Sequence, residues 1–92
     1  MKRKAERTLM YFFDVLVLSR AGRRSAFRVV ETQGDGARCF ELHRHAPPPG
    51  EPELYLTWLP RTGPRCTCAA GRRGKRCRHV DAVLKLIAEG RL

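Results

Sequence analysis

Four stretches of the chain carry apolar residues as strands do, and one carries them at helical spacing. Residues 11–18, YFFDVLVL, are dense in aromatic and β-branched residues and predict a first strand. Residues 25–31, SAFRVVE, predict a second, with Phe27 and Val29 alternating with Arg28 and Val30. In residues 38–44, RCFELHR, Phe40 and Leu42 share one face while Cys39, Glu41 and His43 share the other. Residues 53–59, ELYLTWL, set Leu54, Leu56 and Trp58 on one face, the side expected to pack inward, and leave Tyr55 facing outward.

Short glycine-bearing links at 20–24 and 32–37 suit hairpin loops, so the strands read as a meander. The link at 45–53, HAPPPGEPE, is proline-rich and is expected to run extended, as a stiff spacer between a hairpin unit and the cysteine-bearing unit. In HVDAVLKLIAEG, residues 79–90, Val80, Val83, Leu84 and Ile87 form an i, i+3, i+4, i+7 stripe. Asp81 lies in the first turn, where negative charge suits the helix dipole, and Gly90 stands where a C′ glycine ends a helix. The fold class expected is α+β: a small antiparallel meander of about four strands with a C-terminal helix packed on the sheet.

Charge changes this picture. The 92 residues hold 19 Lys and Arg against 9 Asp and Glu, a formal net charge of +10. That balance suits a polyanionic partner, although the 15 Arg against 4 Lys also fit a biased genome. Residues 1–22 pair a basic start with an apolar run from Leu9 to Leu18, but Asp14 interrupts it and the small-x-small cleavage pattern is missing. No apolar run is long enough to span a bilayer, so a cytoplasmic, reducing location is expected, and no membrane partner.

The chemistry concentrates in residues 66–79, CTCAAGRRGKRCRH. Alternate residues of an extended segment point the same way, so Cys66 and Cys68 can face one ion, on the tail of the fourth strand or on a short strand after Pro64. Two residues apart on a helix, side chains diverge, so Cys77 has to precede the helix and His79 has to sit in its first turn. The apolar stripe independently starts the helix at the same place. A Cys66–Cys68 disulfide would be a strained small ring, and the Cys-x-x-Cys spacing of redox sites is absent. Three thiolates and an imidazole favour Zn2+, with a site charge of about −1. Four protein ligands leave no open position, which makes the zinc structural.

The pattern Cys66-x-Cys68, spacer, Cys77-x-His79 and a following apolar helix resembles a SWIM zinc finger. The resemblance covers roughly residues 52–88 and implies a small ββα unit, zinc, and DNA binding or protein interaction. It divides the chain into an N-terminal hairpin region, 1–51, and a SWIM-like finger with its helix, 52–92. SWIM fingers usually accompany a helicase-like ATPase or a transposase. This chain shows no P-loop, no Gly-rich nucleotide fingerprint and no acidic cluster for catalytic magnesium.

The remaining residues divide between working and bland roles. Arg72, Arg73, Lys75, Arg76 and Arg78 lie in a window without acids and are the candidate nucleic-acid contacts, with Gly71 and Gly74 letting the backbone approach phosphates. Lys2, Arg3, Lys4 and Arg7 form a candidate basic arm. Cys39 reads as a small core or half-buried residue, and His43 and His45 as surface residues. Trp58 is expected beneath the zinc site, with Tyr55 available to stack on a base. The function expected is a zinc-binding module that grips nucleic acid, DNA before RNA, through its basic finger loop. The alternative is an adaptor docking on a larger DNA-processing enzyme or a recombinase-like partner, through an exposed apolar edge strand or the unused face of the helix. Neither an enzyme nor a small-molecule substrate is expected, because no nucleophile–base pair and no open metal position can be argued.

Overall fold

The structure is a computed structural model and describes residues 7–20, 22–34 and 36–92. The basic residues Lys2, Arg3 and Lys4 lie outside that range. Six strands, β1 (Arg7–Phe12), β2 (Val15–Arg20), β3 (Arg23–Gln33), β4 (Arg38–Arg44), β5 (Leu54–Trp58) and β6 (Arg65–Cys66), form one antiparallel sheet in sequence order. A four-residue helix α1 (Ala69–Arg72) and an eleven-residue helix α2 (Arg78–Ala88) complete the fold. Among the described residues, no helix is long and apolar enough to cross a membrane.

The α+β meander is present, with six strands rather than about four. The apolar run at 11–18 is not one strand. It folds back at Phe13 and Asp14, so that Phe12 pairs with Val15 and Leu9 with Leu18. Two-residue hairpin loops need positive φ and usually recruit Gly or Asn. Here Phe13 adopts it, at φ 58°, and no composition signal marks the turn. The proline-rich link also departs from expectation. Instead of running extended, it turns back on itself: Glu51 N–H donates to the Pro48 carbonyl, and Arg44 N–H to the Glu53 carbonyl. Arg44 fastens the loop by pairing with Glu51 at 2.7 Å.

One face of the sheet carries the core. Leu16, Phe27, Phe40 and Leu42 are sealed from solvent there, together with Val83 and Leu86 of α2. Helix α2 packs over β5 and β6, at one end of the sheet. Its buried stripe is Val80, Ala82, Val83 and Leu86, whereas Leu84 and Ile87 are only partly covered. Gly90 succeeds the helix at φ 72°, as a C′ glycine does. The opposite face of the sheet has no covering element among the described residues. Met10, Phe12 and Leu54 are exposed on it, and Phe13 at the adjoining hairpin tip is 93% exposed.

Strand β5 is inverted relative to the sequence expectation. Tyr55 and Thr57 are buried, while Leu54 is exposed and Leu56 and Trp58 are half-exposed on the open face. Register explains the inversion. Thr57 pairs with Cys66, so the two share a face, and Cys66 has to look toward α2 to meet His79. The needs of the cysteine site therefore outweigh the apolar count of the Leu54–Leu56–Trp58 face.

Candidate metal centre

Cys66 ends β6, the short strand after Pro64, and faces α2. Two residues on, Cys68 is the extended N-cap of α1 (φ −68°, ψ 169°), and its Sγ accepts a hydrogen bond from Gly71 N–H at 3.4 Å. Cys77 is likewise the N-cap of α2, accepting from Val80 N–H at 3.4 Å. His79 sits in the first turn of α2, as the spacing requires. Two thiols thus cap helix N-termini, each accepting a backbone N–H of the first turn.

These choices bring Cys66, Cys68, Cys77 and His79 together, their donor atoms all within 4.8 Å of one another. His79 Nδ1 lies 3.8 Å from both Cys66 Sγ and Cys77 Sγ. A tetrahedral ion with metal–sulfur bonds of about 2.3 Å and a metal–nitrogen bond of about 2.0 Å has ligand–ligand edges of roughly 3.5–3.8 Å. The cluster is close to that spacing, and Nδ1 is the nitrogen that points at it. The four can hold a metal ion. None of the cysteines is in a disulfide.

The surroundings fix the ligands. The His79 ring stacks on Tyr55, with centroids 4.6 Å apart and planes 22° from parallel, and meets Phe27 edge-on at 5.4 Å. Tyr55 therefore orients the histidine instead of facing outward to stack on a base, and Trp58 lies on the far side of the sheet from the site. The Thr57 hydroxyl donates to Cys66 Sγ at 3.5 Å. Gly71 packs against the Cys66 backbone so closely that a Cβ there would lie 2.1 Å from the Cys66 carbonyl oxygen. Its role is close approach within the protein, not to a phosphate.

Cys66 and Cys77 titrate as a pair. A hydrogen bond from the Cys77 thiol holds Cys66 far below the usual thiol range, with His79 and Thr57 adding to the effect. That same bond to Cys66, together with burial, pushes Cys77 well above it. One proton is shared between two sulfurs. Metal binding near pH 7 is therefore expected to release fewer than three protons per ion, although three thiols enter the site. Calorimetric titration in buffers of different ionisation enthalpy measures this number, and a value of three would show that Cys66 is an ordinary thiol.

Outside the cluster, Cys39 is buried on the open face of the sheet, where burial and then Glu41 raise its thiol. His43 is half-buried and hydrogen-bonded to Glu41 at 2.8 Å, and His45 is exposed. Arg72, Arg73, Lys75, Arg76 and Arg78 are all exposed around the site. Arg76 is paired with Asp81 of α2. Helix α1, which carries Arg72, is too short to announce itself in the sequence. Its signal is the cysteine N-cap with Gly71 three residues later. The chain matches no family model, no curated protein and no solved structure.

Proposed function

We propose that the metal is structural zinc and that the module binds nucleic acid through the segment between the two ligand pairs. The donor set, three thiolates and one imidazole at tetrahedral spacing, suits zinc, and four protein ligands leave no position for a substrate. One observation carries the rest: Arg72, Arg73 and Lys75 are exposed on a segment tethered at both ends by ligands, Arg78 is exposed between the ligands Cys77 and His79, and none of the four has a carboxylate partner among the described residues. Tethering lowers the ordering cost of a phosphate contact. The resemblance of the ligand pattern to SWIM fingers points the same way.

If those four cations each neutralise one phosphate, the logarithm of the DNA affinity should fall with the logarithm of salt at a slope of about −3.6. Changing Arg72, Arg73 and Lys75 together to Ala should leave metal content intact and reduce the slope by about 2.7. Fluorescence anisotropy on short duplex DNA and on single-stranded RNA, from low to physiological salt, reads both quantities. Absence of binding at low salt by the zinc-loaded protein would sink this reading. The second reading, a docking module for a DNA-processing protein, is favoured by the exposed apolar side chains around β1.

A further inference from the structure

Three features meet at the β1 end of the sheet. First, β1 is an edge strand of six residues, paired only with β2 among the described residues. Natural edges are usually blunted by Pro, a mid-strand charge or a bulge. Residues 8–12, Thr-Leu-Met-Tyr-Phe, contain neither Pro nor charge, and their pairing with β2 is unbroken. Second, because α2 lies over β5 and β6, the helix-side surface of β1 and β2 is left as a groove of about 670 Å³. Leu9, Leu18, Ala70 and Ala82 supply its apolar lining. Third, the groove borders the metal centre, with Cys68, Cys77 and His79 in its lining, and its charged side chains are Arg76, Arg78 and Lys85 against Asp81, which is paired with Arg76; the cations stay in excess even over a zinc-loaded site of about −1.

We infer that this groove is a docking site for an acidic protein segment that adds to the sheet as a strand beside β1. The three features together select this occupant. A free strand edge offers main-chain N–H and C=O groups to an extended peptide. Side chains of such a peptide point alternately to the two faces of the sheet, so every second one enters the groove and meets Leu9 and Leu18. Among those groove-facing positions, apolar residues suit the ones over Leu9 and Leu18, and carboxylates two residues along the peptide, on the same face, meet Arg78 and Lys85. A second copy of this chain fits poorly: its own β1 has no acid in residues 8–12, and it would bring another +10 of charge. A nucleic acid would satisfy the cations but would have no use for the strand edge or the apolar lining. The inference rests on the docking reading and is independent of the nucleic-acid reading.

The test uses the full zinc-loaded chain and a displayed library of peptides long enough to pair with all of β1. In the library every second residue, the set that shares the groove face, is drawn from apolar residues and Asp or Glu, with Ser or Thr between them, and Lys or Arg replace the acids in a control library. The acidic library should be enriched over the control. Selected peptides should shift the β1 amide resonances and the methyls of Leu9, Leu18 and Ala82. Lys85→Glu, with zinc content unchanged, should weaken binding about tenfold, the scale of one charge-assisted contact. N-methylation of alternate peptide nitrogens should abolish it. No enrichment over the control library overturns the inference, as does binding insensitive to Lys85→Glu. Peptides that instead shift Met10 and Leu54 without the groove methyls overturn the groove site but leave the docking reading intact. Concentration-dependent self-association that protects β1 in the absence of peptide would assign the edge to a second copy and overturn the inference.

Discussion

Cys77→Ser is expected to abolish stoichiometric metal binding and to unfold residues 66–88. Serine is a good N-cap, so the variant keeps an acceptor for Val80 N–H and α2 retains its start signal. What it lacks is the thiolate. Structural zinc in finger peptides contributes an apparent binding free energy of about 10–16 kcal/mol near neutral pH, and this is also folding free energy. Loss of one of four ligands removes a large share of it. Metal analysis should fall from one ion per chain to none, and amide exchange should accelerate through β6, α1 and α2. Retention of one ion per chain would refute the ligand set. Cys39→Ser, on the open face, is the control and should leave the metal content untouched.

The second large effect is expected from Gly71→Ala. A methyl group at this position meets the Cys66 carbonyl oxygen at 2.1 Å and its carbon at 2.7 Å, and both are backbone atoms that cannot rotate away. Relief requires moving α1 off β6, which separates Cys68 from Cys66 and breaks the Gly71 N–H bond to Cys68 Sγ. Overpacking of a tight contact costs about 1–3 kcal/mol, and here the cost falls on metal geometry as well. Metal affinity measured by competition with a chelator should drop at least tenfold. Gly74→Ala offers the comparison. Its Cβ would meet open space, so only the strain of φ 73° remains, about 1 kcal/mol. Equal effects of the two substitutions would show that close packing at Gly71 is not what sets the ligand positions.

Local features of this chain were readable in advance, and those fixed by partners distant in sequence were not. The start of α2, its glycine stop and the Cys77–His79 geometry each depend on a few neighbouring residues, and all appear where spacing and capping place them. The hairpin at Phe13 and Asp14 was hidden because an aromatic residue occupies a backbone conformation that usually selects glycine. Strand β5 was inverted although its Leu54–Leu56–Trp58 face is the more apolar, because contacts outside the strand choose the inward face. The pairing of Thr57 with Cys66 and the stacking of Tyr55 on His79 turn Tyr55 and Thr57 inward, and both partners lie beyond the strand. The proline cluster suggested a stiff spacer, yet Arg44 reaches Glu51 across it and closes a loop between paired strands.

The order of the sheet has a kinetic consequence. Every strand neighbours only the strands before and after it in the chain, so the meander can form by successive short-range closures, the topology that folds fastest among sheets. Helix α2 is different: its apolar stripe docks on the sheet, and its first turn brings His79 to Cys66 of β6 and Cys68 of α1. If that cluster takes up an ion, as proposed, completion of the C-terminal third includes a bimolecular step. The concentration of free metal, not chain diffusion, then sets how long a docked helix waits for the ion that locks it.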